Sequence, residues 1–367
     1  MKVTITKTEL GLLIGKIQNI VPAKSSLPIL ANVLLEAIDG QLIISATDLT
    51  VSMRAYTEAK VQQPGGITLP ARRFFQLVRE LTAPYVEIDC QGPEVAHIKA
   101  GSSHFKIHGM HKGEFPSLPD LSGGISFHVQ DHLLKDMLSR TAFSAARDDS
   151  RHVLNGILLQ SASRLTTFIG TDGKRLAKIH TAVDLPPDHV GNYILPLKAV
   201  EEIVRLLDNK EETSCRITLT GDKLSIESGP VTLISKLLSG QYPDVARVIP
   251  QKSSSPIVLH REELISLLRQ VALFTTDTSS SVRFSFAPGE LQLSAMSGDI
   301  GEGKVSMAVN YSGPNLDIAF NPNYFLDILR HSKDETVHFD ITDSYNPGLV
   351  TDSSEALFVI MPMRLEV

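Results

Sequence analysis

Two short segments carry residue types that could bind a phosphate or a metal ion, and neither has the required spacing. Gly11 to Lys16 reads GLLIGK, but a phosphate-binding loop is one residue longer, has Ser or Thr where Ile17 stands, and follows a strand. His104, His108 and His111 could ligate a metal ion. However, Phe105 and Ile107 alternate with polar residues, which predicts a strand, and His104 and His108 would be about 13 Å apart. We expect no metal and no cofactor.

The tightest pair of aspartates, Asp148 and Asp149, is flanked by Arg147 and Arg151 in RDDSRH. Interleaved arginines predict a charged loop rather than carboxylates with raised pKa in a cleft. The sequence contains no GxSxG and no HExxH motif, and no plausible nucleophile has a neighbouring base. We therefore expect a protein that is not an enzyme.

Length, composition and charge restrict the classes of protein to which this chain can belong. A chain of 367 residues with 42% hydrophobic and 21% charged residues predicts two or three globular domains. Cys90 and Cys215 are too far apart for a CxxC site, and no apolar run is long enough for an export signal or a membrane span, so we expect a cytoplasmic protein without a membrane partner. The net charge of -6 argues against nucleic-acid binding over the whole surface, although a local basic surface remains possible.

The sequence contains an internal threefold repeat, which predicts the elements that hold the segments described above. GITLPARRFFQLVREL (66–81) recurs as NYILPLKAVEEIVRLL (192–207) and as DIAFNPNYFLDILRHS (317–332), with prolines 70, 196 and 322 spaced by 126 residues. Each proline lies between a short extended segment and a helical apolar pattern, where its fixed φ is tolerated. The repeat predicts three copies of one strand-to-helix unit.

Two further phrases recur in each third. VLLEAIDGQLIISATD, ILLQSASRLTTFIGTD and VRFSFAPGELQLSAMS read as hairpins, with turns at Asp39-Gly40 and Pro288-Gly289 in the first and third copies. An opening strand and amphipathic helix precede each hairpin. Thr8, Asp131 and His260 stand near the helix starts, and the first two are good N-cap residues. With polar breaks at 122–124 and 253–255, we predict an α+β chain of three repeated domains, 1–124, 125–252 and 253–367, each with two helices and six to eight strands.

A repeated domain can use one edge against the opposite edge of the next copy, and two chains can then close into a ring. Three domains with unrelated uses are the alternative. The predicted helical windows 7–20, 71–82, 130–142, 197–208, 260–273 and 323–333 hold 13 Lys and Arg against 10 Asp and Glu, whereas the rest holds 22 against 31. The helices thus form the basic layer, and the candidates to face phosphate include Arg72, Arg73, Arg79, Lys135, Arg140, Lys198 and Arg205.

Local phrases along the whole chain then point to a family. SLPILANVLLEA, TDGKRLA, GQYPDVARVIP, FNPNYFLDIL and the ending VIMPMRL closely resemble the bacterial sliding clamps, the beta subunits of DNA polymerase III. The resemblance implies a head-to-tail homodimeric ring, with helices lining a hole around duplex DNA and sheets outside. It also implies that a clamp loader opens the ring, and that the ring tethers the DNA polymerase III alpha subunit and other proteins with a clamp-binding motif.

In that family, partners insert a short apolar peptide into a groove between the second and third domains. Adaptable methionines, a glycine that permits close approach and rim arginines suit such a groove. Met361 to Met363 can equally form a final edge strand packed on its own domain. Carried over by position, the groove consists of Leu154, Thr171, Gly173, Arg175, Leu176, Pro243, Arg247, Val248, Val359, Met361, Pro362, Met363 and Arg364.

The resemblance implies further contacts with DNA and with a second copy. Lys24 precedes LPIL where relatives carry a cation near DNA, and Arg147 and Arg151 are further DNA-facing candidates. The loop before Leu154 carries Asp148, His152 and Val153 where the best-known relatives have Gln and tyrosines, which puts aromatic stacking on DNA in doubt. The predicted dimer contacts are Phe105, Leu273 and Phe274, and Glu366 and Val367 extend past the usual terminal leucine.

Two other classes of protein remain open. One is a monomeric enzyme built from triplicated domains: an activity that requires a bound metal or nucleotide would support it, and the incomplete motifs above count against it. A static DNA-binding scaffold would hold linear DNA, whereas a ring slips off open ends.

Overall fold

The computed structural model describes residues 1–119, 121–162, 165–183, 190–253, 255–276 and 280–365. Within them the three thirds of the sequence each hold two α-helices, at the predicted places. The helices are α1 (Lys7–Ile17), α2 (Ala71–Glu80), α3 (Asp131–Ala142), α4 (Leu197–Leu206), α5 (Arg261–Ala272) and α6 (Pro322–His331).

The first third has one strand more than predicted, because a short strand precedes the repeated proline segment. Its strands are β1 (Lys2–Thr6), β2 (Asn32–Ile38), β3 (Gln41–Thr47), β4 (Val51–Glu58), β5 (Lys60–Gln63), β6 (Gly65–Pro70), β7 (Tyr85–Asp89), β8 (Val95–Ala100) and β9 (Ser103–His108). The middle third contributes β10 (Ile125–Gln130), β11 (Gly156–Ala162), β12 (Leu165–Thr171), β13 (Arg175–Ala182), β14 (Gly191–Pro196), β15 (Ser214–Leu219), β16 (Lys223–Ser228) and β17 (Val231–Lys236). The last third contributes β18 (Ile257–His260), β19 (Val282–Ala287), β20 (Glu290–Ser297), β21 (Gly301–Ala308), β22 (Leu316–Phe320), β23 (Thr336–Asp340), β24 (Gly348–Thr351) and β25 (Leu357–Ile360).

The chain folds into two compact units, residues 1–135 with 198–237, and residues 136–197 with 238–367. The first unit holds a five-stranded sheet, β5-β1-β7-β8-β9, and an eight-stranded sheet, β10-β15-β16-β17-β4-β3-β2-β6. The second unit holds an eight-stranded sheet, β14-β11-β12-β13-β25-β24-β23-β18, and a four-stranded sheet, β21-β20-β19-β22. Each eight-stranded sheet therefore continues from one third of the sequence into the next. The domain boundaries at 124/125 and 252/253 stay a prediction.

The repeated prolines lie where a strand meets a helix, as predicted. Pro70 and Pro196 end β6 and β14 directly before α2 and α4, and Pro322 is the first residue of α6. At the start of α6, the Asn321 side chain accepts hydrogen bonds from the backbone N–H groups of Asn323 and Tyr324. A proline there costs no hydrogen bond, because the first helical N–H groups have no partner within the helix.

The start of α1 corrects one prediction. Thr6, rather than Thr8, caps this helix: its hydroxyl accepts the N–H of Glu9 and donates to the Glu9 carboxylate, at 3.1 and 2.7 Å. This reciprocal arrangement satisfies one of the free N–H groups at the helix start and is typically worth about 1 kcal/mol. Leu10, Leu13, Ile14 and Ile17 form the buried face of α1, whereas Leu133 of α3 and Leu267 of α5 are only half-buried.

The segments whose residue types could bind phosphate or a metal ion take the predicted local structures. GLLIGK lies inside α1, and His104 and His108 lie on strand β9. Asp39 and Gly40 both have positive φ at the β2–β3 turn, as the turn residues predict. Across the described residues, no group of three or more His, Cys, Asp or Glu side chains could hold a metal ion, and no described helix is long and apolar enough to span a membrane.

Candidate functional site

The predicted groove has an apolar floor that strand register assembles within the second unit. Leu176 on β13 is paired with Val359 on β25, which is paired in turn with Leu349 on β24. These three side chains form one buried row across the sheet, because directly opposed residues point to the same face. The row belongs to a buried cluster of Ala146, Leu154, Leu158, Ile169, Leu176, Ile194, Tyr242, Leu349 and Val359.

The remaining predicted groove residues lie at the surface around this floor. Val248 is 44% exposed at the end of a short 3-10 helix, Ala246–Val248, whose neighbours Val245 and Ile249 pack against the buried cluster. Met361 is 38% exposed directly after β25, and its N–H donates to the Lys174 carbonyl at 2.9 Å. The rest of this rim is exposed or half-buried and consists of Pro243, Arg247, Pro362, Met363 and Arg364.

The end of the chain supports the alternative use of the methionine segment as well. The N–H of Met363 donates to the Ala319 carbonyl on β22 at 2.7 Å, so the segment pairs with its own unit. This pairing fixes the backbone and leaves Met361 at the surface. Glu366 and Val367 lie outside the described residues.

A tight turn, Thr171 to Arg175, forms one wall of the groove. The Thr171 hydroxyl donates to the Arg175 carbonyl at 2.6 Å and accepts the Gly173 N–H at 3.0 Å, and Asp172 accepts the N–H groups of Lys174 and Arg175. Gly173 has φ +84°, a conformation that side chains rarely adopt, and a Cβ there would lie 3.2 Å from the guanidinium of Arg151. The positive φ therefore favours glycine here, whereas the flexible, exposed Arg151 side chain could shift to relieve the close contact.

Arg175 is not a free cation at the rim. Its side chain is only 11% exposed, and its guanidinium pairs with Asp172 at 3.2 Å and with Asp327 of α6 at 2.7 Å. It also lies 4.5 Å from the ring centroid of Tyr324 and 5.4 Å from that of Phe143. Carboxylates of the same chain thus already neutralise this arginine in the free protein, and its role toward a partner stays a prediction.

Sequence reasoning missed Tyr242, a buried member of the groove floor. Its hydroxyl donates to the Ile169 carbonyl at 3.4 Å, and burial raises the pKa of this tyrosine above its usual value. The residue lies in GQYPDVARV, where no helix or strand periodicity indicates which side chain points inward. The available signal was the adjacent Pro243, because a proline ring fixes its own φ and so restricts the backbone next to Tyr242.

Four of the predicted DNA-facing cations are exposed in the first unit. Lys24 lies in the loop before the 3-10 helix Pro28–Ala31, and Arg72 and Arg73 begin α2. Cations at a helix N-terminus oppose the helix dipole, so helix stability does not account for this arginine pair. Arg79, near the end of α2, donates to the side chain of Gln18 at 2.8 Å.

Three other DNA-facing candidates have partners within the first unit. Lys198 pairs with Asp48, and Arg205 pairs with Glu202 on α4. Burial raises the pKa of Glu202, because its carboxylate loses hydration. Lys135 donates to the Leu207 carbonyl at 3.0 Å, just after α4. Lys135 and Lys198 are half-buried and Arg205 is exposed, but intramolecular partners reduce the charge that each can offer.

Arg140 does not face DNA, contrary to prediction. It is 3% exposed and donates from Nε to the His331 carbonyl at 2.8 Å, from Nη1 to Ser354 at 2.8 Å and from Nη2 to Asp352 at 2.5 Å. All three partners belong to the last third of the chain. The guanidinium is a buried structural link within the second unit, where its charge is matched by Asp352.

Arg147 and Arg151 lie on the predicted charged loop and are both exposed. Arg151 makes a two-pronged ion pair with Asp149, at 3.0 and 2.9 Å, and these hydrogen bonds lower the pKa of Asp149 to about 2. The interpretation of Asp149 as an ordinary charged loop residue is confirmed. Arg151 also lies beside Gly173, so it borders the groove wall.

The predicted dimer residues lie beside unpaired sheet edges, one in each unit. Phe105 is on β9, which ends the five-stranded sheet. Leu273 is 73% exposed after α5, and Phe274 is half-buried against Gly303 of β21, which ends the four-stranded sheet. Exposed apolar residues at open edges are typical of surfaces that pair with another chain.

Known proteins resemble this chain over its full length. Three models of the DNA polymerase III beta subunit match in order: the N-terminal domain at residues 1–119, the central domain at 128–244 and the C-terminal domain at 246–364. The beta sliding clamp of Chlamydia muridarum is 53% identical over 365 residues, which cover 100% of this chain and 99% of that protein.

Solved structures agree with the sequence comparisons. A Pseudomonas aeruginosa sliding clamp bound to griselimycin has a TM-score of 0.94 at 30% identity, and a Bacillus subtilis sliding clamp has a TM-score of 0.95 at 26% identity. Each comparison covers 100% of both chains. The predicted α+β architecture of three repeated clamp domains is confirmed, and the chain belongs to the DNA polymerase III beta subunit family.

Proposed function

We propose that this protein is a non-catalytic DNA sliding clamp, a homodimeric ring that encircles duplex DNA and tethers the replicative polymerase. The observation that carries the ring is the pair of open sheet edges, β9 with Phe105 and β21 beside Leu273 and Phe274. A contact between unlike edges is a heterologous, head-to-tail contact, and two copies bury both edges when the rotation closes. In an isolated chain, β9 and β21 would both be left as edge strands beside exposed apolar side chains.

Weak, dispersed positive charge suits a ring that must slide. Exposed cations such as Lys24, Arg72 and Arg73 attract phosphate, whereas Lys198 and Arg205 are partly neutralised by acidic neighbours. Salt screens such surface charges within about 8 Å at physiological ionic strength, so the duplex is attracted without a fixed register. Retention on DNA then depends on ring closure rather than on affinity.

The groove is the proposed docking site for partner peptides. Its buried floor of Leu154, Leu176 and Val359 favours apolar side chains, and the adaptable Met361 suits partners of differing shape. We propose that the clamp loader, the DNA polymerase III alpha subunit and other proteins with a clamp-binding motif insert their motif here. The replicative role also implies a cytoplasmic protein with no membrane partner.

Small-angle scattering and retention on DNA test the ring. We expect a particle of twice 40.1 kDa with a hollow centre, and loaded protein that stays on circular DNA at moderate salt but leaves after linearisation. A compact 40.1 kDa particle would contradict the ring. Salt-resistant binding that survives linearisation would favour the static scaffold instead.

A Pseudomonas aeruginosa sliding clamp has been solved bound to griselimycin, and we propose that this compound binds in the apolar groove of the present chain. We expect this chain to bind griselimycin, and Val248→Asp or Met361→Asp to weaken binding by placing a charge at an apolar rim. Glu263→Gln, an exposed change on α5 outside the groove, is the matched control. Binding unaffected by both rim substitutions would show that the groove is misplaced.

A further inference from the structure

One carboxylate on α6 is shared between two arginines. Asp327 Oδ2 accepts from Arg175 Nη1 at 2.7 Å, and Oδ1 accepts from Arg330 Nη1 at 3.1 Å. Arg175 belongs to the groove wall, whereas Arg330 is one helical turn further along α6 and is half-exposed. Asp327 thus pairs with one arginine at the proposed groove wall and with a second arginine at the surface of α6.

Two aromatic rings and two carboxylates, one of them that of Asp327, surround the guanidinium of Arg175. Tyr324 and Phe143 lie over the guanidinium, and Asp172 and Asp327 pair with its edge. Asp172 belongs to the same turn as Arg175, so it moves with that turn and cannot anchor it. Asp327 comes from α6, more than 150 residues later in the chain, and is the carboxylate that ties the turn to a separate element.

The position of Asp327 is itself fixed. Its carbonyl is 2.7 Å from Nδ1 of His331, and the His331 ring stacks on Phe143 with 4.3 Å between centroids and 13° between planes. Phe143 therefore contacts both the arginine and the histidine of this arrangement. The C-terminal half of α6 and the groove wall form one packed assembly.

We propose that Asp327 is a positioning residue of the partner groove: it holds Arg175 over the ring of Tyr324 and thereby keeps the Thr171–Arg175 turn in its binding-competent form. The inference rests on the proposed function of the groove. Arg175 is too enclosed to serve as the main charge for a partner, and its role is to fix the wall that carries Thr171, Gly173 and Leu176. Asp327 does not line the groove floor, and it acts through Arg175.

Titration with griselimycin, followed by calorimetry, tests this role. We expect Asp327→Asn to weaken binding about five- to tenfold, because a charge-assisted hydrogen bond to a mostly buried cation is removed. Asp327→Glu keeps the charge and should restore most of the affinity. Arg330→Gln removes only the second ion pair and should bind as tightly as the wild type, as should Glu263→Gln.

A double-mutant cycle separates positioning from general destabilisation. If Asp327 acts through Arg175, then adding Asp327→Asn to Arg175→Gln causes no further loss of affinity. Additive losses, a wild-type affinity of Asp327→Asn, or an equal loss in Arg330→Gln would each overturn the inference. Melting curves of all variants identify any that fail to fold, and Asp327→Glu then provides the comparison. Wild-type binding of griselimycin that resists both Val248→Asp and Met361→Asp would instead overturn the groove, and the inference with it.

Discussion

Leu176 and Val359 are directly paired across the antiparallel strands β13 and β25, although 183 positions separate them in the sequence. This pair joins the middle and last thirds of the chain in one sheet and places two apolar side chains in the buried cluster at the floor of the proposed groove. The proposed groove therefore depends on register between two repeats. A single repeat could not form it.

Substituting Val248 by Asp should remove partner binding without unfolding the protein. Val248 is 44% exposed, so a carboxylate there stays hydrated in the free protein but must be desolvated under an apolar partner side chain. We expect at least a tenfold loss of peptide affinity, about 1.4 kcal/mol or more, and an unchanged melting temperature. A fluorescent peptide from a clamp-binding protein, measured by anisotropy, provides the check. Wild-type affinity would place the partner elsewhere.

Replacing Leu273 and Phe274 by Asp should convert the dimer into monomers. Two carboxylates would be buried without partners against the edge of a second chain, which costs several kcal/mol. Light scattering coupled to size-exclusion chromatography measures the mass directly. Ser266→Asp, an exposed substitution on α5, should leave the dimer intact. A double variant that remained dimeric would refute the assigned interface.

The Arg72 and Arg73 pair should increase retention on DNA in a salt-dependent manner. Replacing both by Ala removes two exposed cations from the start of α2, and the salt slope of binding should fall by about one unit for each phosphate that is no longer neutralised. We expect weaker binding at low salt and convergence with the wild type at high salt. An unchanged salt slope would show that α2 does not face DNA.

The second unit should lose stability as pH falls below neutrality, because burial lowers the pKa of His331. Its folded pKa lies below the ordinary value of about 6.5, so the unfolded chain binds more protons in the intervening range. The resulting stability is present above pH 6.5 and is lost as pH falls through that range. The melting temperature of the wild type should therefore drop more between pH 7.5 and 5.5 than that of His331→Asn. Equal drops would refute a contribution from His331.

Local sequence patterns predicted the helices and strands, whereas the burial of individual side chains depended on partners far away in the sequence. Pro70 and Pro196 mark strand-to-helix borders because a missing N–H and a fixed φ act within a few residues. Arg140 was predicted to be exposed because its type is charged, although it lies three residues after the buried Met137 and therefore on the same helix face. Its partner Asp352 is 212 positions away, and no local pattern indicates that pairing.

Substitutions of Arg140 and Arg73, two cations predicted to face DNA, should differ in their effect on stability. Arg140→Met leaves Asp352 buried without its partner, so we expect a loss of about 3–5 kcal/mol in the free energy of unfolding. Arg73→Ala, at an exposed position, should change stability by no more than about 0.5 kcal/mol. Denaturant unfolding measures both. The double variant Arg140→Met with Asp352→Leu should recover part of the loss, since replacing both charges by apolar groups leaves no buried charge unpaired. A stability of Arg140→Met equal to that of Arg73→Ala would mean that the ion pair contributes nothing to the fold.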